Sequence, residues 1–353
     1  MSKKHNFGAG PCILPQEVMA QAAEAVLNFN GLSILEVSHR SKDFVAVMDE
    51  AQALVKKVLS VPEGYSVLFL QGGASLGFLI AAMNMARKNK KGAYLDTGNW
   101  AANAIKQAKM AGIEATVVGS SKDENYTFIP KNFSIPEDVD FVHYTSNNTI
   151  YGTQFKVIPE TNKPLICDMS SDIFSQEIDI SKFDLIYAGA QKNLGPAGAT
   201  LYIVKDEVLG KSSISPIPTY LDLAVHQSKE SMFNTPPVFS IYVSMLNLRH
   251  LLAHGGVRAQ QTLNEKKAAL LYNEIDSNDK FSSPVNKEDR SNMNVIFFLN
   301  DEEANKERFD KLWNDAGIIG LKGYRTLGGY RASMYNALPL ESVQVLVDCM
   351  KAL

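Results

Sequence analysis

The residues with the most chemical potential lie at the ends of apolar runs. Lys192 follows Asp184-Leu185-Ile186-Tyr187-Ala188-Gly189-Ala190-Gln191, a run that stops abruptly in small residues. It is too short for a helix and reads as a buried strand whose carboxyl end opens into the crevice where α/β proteins bind ligands. An amine at that opening can act as a nucleophile or move a proton, although a lysine taken alone is most often a solvated loop residue. Asp168 ends a second such run, Pro164-Leu165-Ile166-Cys167, and a third, Tyr65-Ser66-Val67-Leu68-Phe69-Leu70, leads into Gln71-Gly72-Gly73-Ala74-Ser75. Gly72 to Ser75 stand between that strand and a helix expected from Leu76, so backbone amides and the helix dipole can bind a phosphate there. A lysine, an acid and an anion loop are thus expected together at strand ends.

Alternating strands and helices must position these groups. Pro15 opens an amphipathic helix with Val18, Met19, Ala22, Val26 and Leu27 on one side, ended by Gly31, and residues 44–59 repeat the periodicity up to the turn Pro62-Glu63-Gly64. The pattern then predicts helix over 76–86, strand over 92–96, helix over 101–111, strand over 114–118 and strand over 141–144, the last leading into Thr145-Ser146-Asn147-Asn148-Thr149. This alternation argues for an α/β fold with a mostly parallel sheet. Residues 200–204 read as an edge or return strand, and 240–254 as a long helix capped by Gly255-Gly256. A large domain is expected over 14–254, a smaller α+β domain over 255–353, and an arm over 1–13. The smaller domain reads as a helical run through Lys266, a strand over 294–298, a helix over 303–316 and a last helix from Leu340.

A length of 353 residues suffices for a large core, and 45% hydrophobic with 21% charged residues is ordinary for a globular chain. A net charge of −3 gives no reason to expect nucleic acid or an anionic membrane as partner. The longest apolar stretch, 76–86, falls short of the ~20 residues of a membrane span, and no apolar core follows the basic start to suggest a secretory signal. Cys12, Cys167 and Cys349 are widely spaced, which suits free thiols in a reducing cytoplasm, and no metal-ligand spacing is present.

The set resembles the pyridoxal-phosphate enzymes of the aspartate-aminotransferase fold. The motifs Phe7-Gly8-Ala9-Gly10-Pro11, Ser38-His39-Arg40-Ser41, Gln71-Gly72-Gly73-Ala74, Cys167-Asp168-Met169-Ser170-Ser171, Gly189-Ala190-Gln191-Lys192-Asn193, Asn234-Thr235-Pro236-Pro237 and Arg331-Ala332-Ser333-Met334-Tyr335-Asn336 narrow it to the phosphoserine aminotransferase family of class V. The resemblance implies that Lys192 holds pyridoxal phosphate covalently and carries the proton during transamination, while Asp168 pairs with the ring nitrogen. Ala74, Ser75 and Gln191 would bind the cofactor phosphate, Trp100 would stack on the ring, and Thr149 would meet its phenolic oxygen. Asn234 and Thr235 would reach the phosphate of a neighbouring subunit, which implies a homodimer with shared sites. Arg331 would anchor the substrate α-carboxylate; His39, Arg40 and Arg325 would take the distal phosphate of phosphoserine or the side-chain carboxylate of glutamate. Members often carry histidine just before the Arg325 position, where this chain has Tyr324, which adds no positive charge. A sister reaction of the family makes 4-phosphohydroxythreonine for pyridoxine synthesis.

Other readings compete. Gly72-Gly73-Ala74-Ser75-Leu76-Gly77 is a variant of the dinucleotide fingerprint, with Asp96 at the end of the next strand as a ribose-binding acid, so a nicotinamide dehydrogenase is an alternative from another class. That reading lacks the second glycine and leaves Lys192 and Asp168 without roles. An aminotransferase for unphosphorylated amino acids, and a non-catalytic scaffold of this fold, are further alternatives. A cysteine desulfurase is disfavoured, because none of the three cysteines lies in the 321–330 loop region.

Overall fold

The structure, a computed structural model, describes residues 4–353. Strand β1 (His5–Asn6) precedes helices α1 (Gln16–Leu27) and α2 (Lys42–Val58). Strand and helix then alternate through β2 (Tyr65–Leu70), α3 (Gly73–Met85), β3 (Lys91–Asp96), α4 (Asn99–Met110) and β4 (Glu114–Ser120). Four strands follow, β5 (Phe141–Thr145), β6 (Leu165–Asp168), β7 (Leu185–Gly189) and β8 (Thr200–Lys205), and then α5 (Leu223–Ser228) and α6 (Val238–Ala253). The remainder comprises α7 (Gly256–Ser277), β9 (Phe281–Ser282), β10 (Asn294–Leu299), α8 (Glu302–Asp315), β11 (Ile318–Ile319), β12 (Tyr330–Ser333) and α9 (Leu340–Lys351).

Seven strands form one sheet in the order β2-β8-β7-β6-β5-β3-β4. From β7 to β4 every pairing is parallel, whereas β8 runs antiparallel to both β7 and β2. Residues 200–204 therefore form an inner strand and not an edge. The sheet is covered on both faces. Val67, Phe69, Ala93, Val142, Cys167 and Ile186 point into a core shared with α1, α2 and α6. Their neighbours Leu68, Tyr94, Phe141, Ile166, Leu185 and Tyr187 point into a second core under α3 and α4. Burial on both sides explains why β6 and β7 read as continuous apolar runs. A third core joins α7, α8, α9 and the strands β9, β10 and β12, which form a separate sheet; it also takes Phe7 from the arm, as β1 pairs with β11.

Register fixes the level at which the strands end. Thr145 lies opposite Asp168, and Asp168 opposite Tyr187, so the carboxyl ends of β5, β6 and β7 open side by side. Two helices start earlier than the apolar pattern indicates, α3 at Gly73 and α4 at Asn99, while α1 ends at Leu27, before Gly31. Gly72 permits the early start of α3: it caps the helix in a left-handed conformation with φ of 103°. A Cβ there would lie 2.5 Å from Leu76 Cδ2. Gly72→Ala is expected to destabilise the fold by about 1–2 kcal/mol from backbone strain alone, read as a lower thermal midpoint than the wild type; an unchanged midpoint would refute this account of the turn.

Candidate active site

A cavity of about 330 Å³ lies over the carboxyl ends of the central strands, within the ~300–1,000 Å³ usual for ligand sites. Lys192, Asp168, Ala74, Ser75, Trp100, Thr149, Gln191 and Arg331 all line it, as does Tyr324. Sequence reasoning named these residues from separate stretches; the fold brings them to one wall. A larger cavity of about 660 Å³, lined by Met169, Ile178 and Phe183, includes neither Lys192 nor Asp168.

Lys192 follows β7 and is 8% exposed. Its Nζ donates to Thr149 Oγ1 at 2.9 Å. Burial pulls its pKa down to about 8, the nearby Asp168 opposing and Arg331 assisting. The amine is therefore partly free base near neutrality, the form that can act as a nucleophile. Asp168 is buried at the end of β6, where the amide and hydroxyl of Ser170 donate to Oδ1 at 2.9 and 2.6 Å. That leaves Oδ2 without a hydrogen bond among the described residues. Burial raises its pKa, and the Ser170 hydrogen bonds and Lys192 oppose the rise.

At the start of α3 the first helical bond runs from Leu76 N to Gly72 O at 3.3 Å. The amides of Gly73, Ala74 and Ser75 precede it and have no helical acceptor. No acidic residue occupies that first turn, so an anion meets the positive helix end without competition. Trp100 lies in the first turn of α4, its Nε1 buried without a partner. Thr145 Oγ1 and Arg331 Nε are likewise buried and unpartnered, so three polar atoms of lining residues await something that the protein does not supply. Arg331 comes from the other sheet, on β12, and one terminal nitrogen donates to Thr149 O at 3.4 Å.

Five expected site residues are not brought to this cavity by their own chain. His39, buried, and Arg40, exposed, sit in the turn before α2; Arg325 lies in an exposed turn after β11; Asn234 and Thr235 form an exposed corner before α6, held by Gln71 Nε2 donating to Thr235 O at 3.1 Å. Sequence reasoning in turn missed Ser170 as the partner of Asp168, although an acid two residues before serine is a recognisable local hydrogen-bond pattern. It also missed Asp172, a second buried acid, whose pKa burial pushes up to about 6. Ser146 and Gln154 donate to it.

The chain matches the family model described as Aminotransferase class-V over residues 5–346. A phosphoserine aminotransferase of Flavobacterium johnsoniae is 62% identical over 354 residues, covering 99% of each chain. The solved phosphoserine aminotransferase of Bacillus circulans subsp. alkalophilus superposes with a TM-score of 0.95 at 43% identity, covering 99% of this chain and 98% of its own. The pyridoxal-phosphate-bound phosphoserine aminotransferase of Trichomonas vaginalis gives 0.94 at 35% identity, covering 99% and 100% respectively. The fold is thus that of a class V aminotransferase. Within that class, the chain belongs to the phosphoserine aminotransferase family. The dehydrogenase, scaffold and desulfurase readings fall with this membership; Asp96, the supposed ribose acid, is buried and accepts from the Tyr126 hydroxyl at 3.3 Å.

The lowered pKa of Lys192 makes a directional forecast. In the chain stripped of cofactor, covalent capture of an added aldehyde at Lys192 should accelerate as pH rises through about 8 and level off above it, because the free base is the reacting form. Borohydride fixation followed by peptide mapping measures this, and a rate still climbing steeply to pH 10 would mean that burial does not lower the lysine pKa.

Proposed function

We propose that the chain is a phosphoserine aminotransferase, interconverting 3-phosphohydroxypyruvate plus L-glutamate with O-phospho-L-serine plus 2-oxoglutarate, with pyridoxal 5′-phosphate as cofactor. The observation that carries the reading is the convergence of Lys192, Asp168, the start of α3 and Arg331 on one cavity. The residues present fit the cofactor: an amine for its aldehyde, a carboxylate oxygen for its ring nitrogen, free amides for its phosphate and an indole for its face. When bound, it supplies an aldehyde that carries the amino group and a ring that accepts electrons released at the substrate α-carbon.

The chain's own groups perform the rest. Lys192 Nζ would take the proton from the substrate α-carbon and deliver one to the cofactor carbon that carried the aldehyde, for which a pKa near 8 is suited. Asp168 keeps a proton on the ring nitrogen, with Ser170 fixing its rotamer through Oδ1. Ala74, Ser75 and Gln191 hold the cofactor phosphate, Thr149 its phenolic oxygen, and Trp100 covers the ring. Arg331 binds the α-carboxylate in two-point fashion.

Lys192 and Arg331 are the only cations lining the cavity among the described residues, too few for a cofactor phosphate and a substrate phosphate together. We assign the remainder to His39, Arg40 and Arg325, and the completion of the cofactor phosphate site to Asn234 and Thr235 of a second copy in a homodimer. The exposed positions of Arg40, Arg325, Asn234 and Thr235 away from their own cavity support this assignment. Separate sheets and cores support a large domain over 14–254 and a small one over 255–353. No helix among the described residues is long and apolar enough to cross a membrane; with three free cysteines this favours the cytoplasm. The 4-phosphohydroxythreonine reaction of pyridoxine synthesis uses the same anion site and is proposed as a second activity.

Substrate choice tests the reading. A hydrogen bond to a charged group is worth ~1.5–3 kcal/mol, so two lost contacts shift kcat/KM by roughly two to four decades. Phosphoserine should exceed serine and alanine by that order, Arg40→Ala and Arg325→Ala should erase much of the preference while sparing serine, and Arg331→Ala should weaken every amino acid. Equal kcat/KM on serine and phosphoserine in the wild type would favour an aminotransferase for unphosphorylated substrates. The shared site has its own test. Inactive Lys192→Ala chains mixed with an inactive Asn234→Ala/Thr235→Ala variant should regain activity, since one site of each hybrid carries neither lesion; proven hybrids without activity would return the corner to its own subunit.

A further inference from the structure

Glu17 of α1 and the residues His250 and His254 at the end of α6 form a cluster to which the transamination site gives no role. The two histidines are four residues apart and so share a helix face, a ligand spacing that the expectation of no metal site passed over; their ring centroids are 4.0 Å apart with planes tilted by 33°. Glu17 reaches them from α1, with Oε2 3.2 Å from His250 Nδ1. One ligand atom from each of the three residues lies within 4.8 Å of the others. We propose that this cluster is a site for a divalent transition metal of the zinc type, held by two imidazoles and a carboxylate with a fourth position open to water.

Three features support the assignment beyond residue type. His254 Nδ1 lies 2.8 Å from His250 O. A carbonyl only accepts, so Nδ1 carries the proton and Nε2 keeps its lone pair outward; a backbone carbonyl behind the ring is the arrangement that orients metal-binding histidines. The cluster also sits at the carboxyl end of α6, with His250 in the last turn and His254 at the cap, where the helix dipole favours a cation. Finally, bonds of ~2.0–2.1 Å in a tetrahedral site place ligand atoms about 3.3 Å apart, and the exposed Glu17 can close towards that spacing by side-chain rotation.

The other imidazoles and thiols are enclosed or engaged. His143 and His226 are buried and bonded to the Tyr187 hydroxyl and Tyr220 O, His5 contacts Ser342, and His39 is buried, its Nε2 included. The Cys12 thiol is pushed up to about 12 by burial, and Cys167 and Cys349 are buried. The metal would pin α1 to α6 less than one helical turn from Asn247, which donates to Asn193 O and Leu194 O at 2.8 and 2.9 Å beside the Lys192 backbone. Its expected effect is on stability and not on turnover.

The test titrates Zn²⁺ calorimetrically into the holoenzyme after chelation and dialysis, with Glu17→Gln, His254→Ala and His254→Gln alongside. One Zn²⁺ per wild-type chain is expected, with affinity weakened about tenfold or more in each variant and a zinc-dependent rise in melting midpoint confined to the wild type. Glu17 and His254 are exposed, so these variants keep the fold. Zinc binding of undiminished affinity in the variants, or no stoichiometric binding to the wild type, would overturn the site.

Discussion

An ammonium removed from water with one neutral hydroxyl as its hydrogen-bond partner has lost most of its hydration, and Lys192 shows the result as a pKa drawn from 10.5 to about 8. That displacement corresponds to about 3 kcal/mol, which the surrounding structure must hold against relaxation of the lysine into solvent. It does so by fixing the backbone and leaving the side chain short of charge. The amide of Cys12 donates to Gln191 O at 3.1 Å, and the Cys12 thiol reaches Lys192 O at 2.8 Å. Asn193 Oδ1 accepts from Asn336 N at 3.0 Å, and Asn247 clamps the carbonyls that follow. Arm, α6 and the segment before α9 therefore all grip the same few peptide units.

The same economy governs the acid. Asp168 is buried beside Lys192, yet its neutralising contacts come from Ser170 and not from a direct ion pair. A tight lysine–carboxylate bridge would raise the lysine pKa and occupy the oxygen needed elsewhere. Separation of the two groups keeps the amine partly neutral and the carboxylate available. Asp172 adds a second acid below them, bonded to Ser146 and Gln154 and raised to about 6 by burial. Above that pH its charge partly offsets that of Lys192.

Much of this was legible in the sequence where a single segment carries the signal. The strands β2, β6 and β7 are short, apolar on both faces and ended by functional residues, so their positions and the site at their ends could be read directly. Helix starts were less legible, because glycine and serine in the first turn of α3 resemble loop residues until Gly72 adopts its left-handed conformation. The inner place of β8 depends on pairing with β2, from which it is separated by more than 120 residues, and no local pattern records that. Two-residue strands such as β1 and β11 have no periodicity to detect; they exist because they pair with each other. Arg331 was recognisable only by its motif, since its strand is defined by β10 and its place at the cavity by tertiary contact.

The pairing of β1 with β11 has a functional consequence. Residues 5–6 are tied to the sequence just before the Tyr324 and Arg325 turn, Phe7 lies in the core of the C-terminal sheet, and Tyr335 Oη donates to Ala9 O at 3.0 Å. From Ala9 and Gly10 the chain passes along the cavity and over Gln191 and Lys192. The arm is thus bonded at one end to the unit that carries Arg331 and at the other to the loop that carries Lys192. A displacement of either unit is transmitted to the wall of the cavity through the short backbone segment from His5 to Cys12, held by hydrogen bonds at both ends. The placement of the Lys192 amine relative to the Arg331 guanidinium therefore involves the arm as well as the sheets.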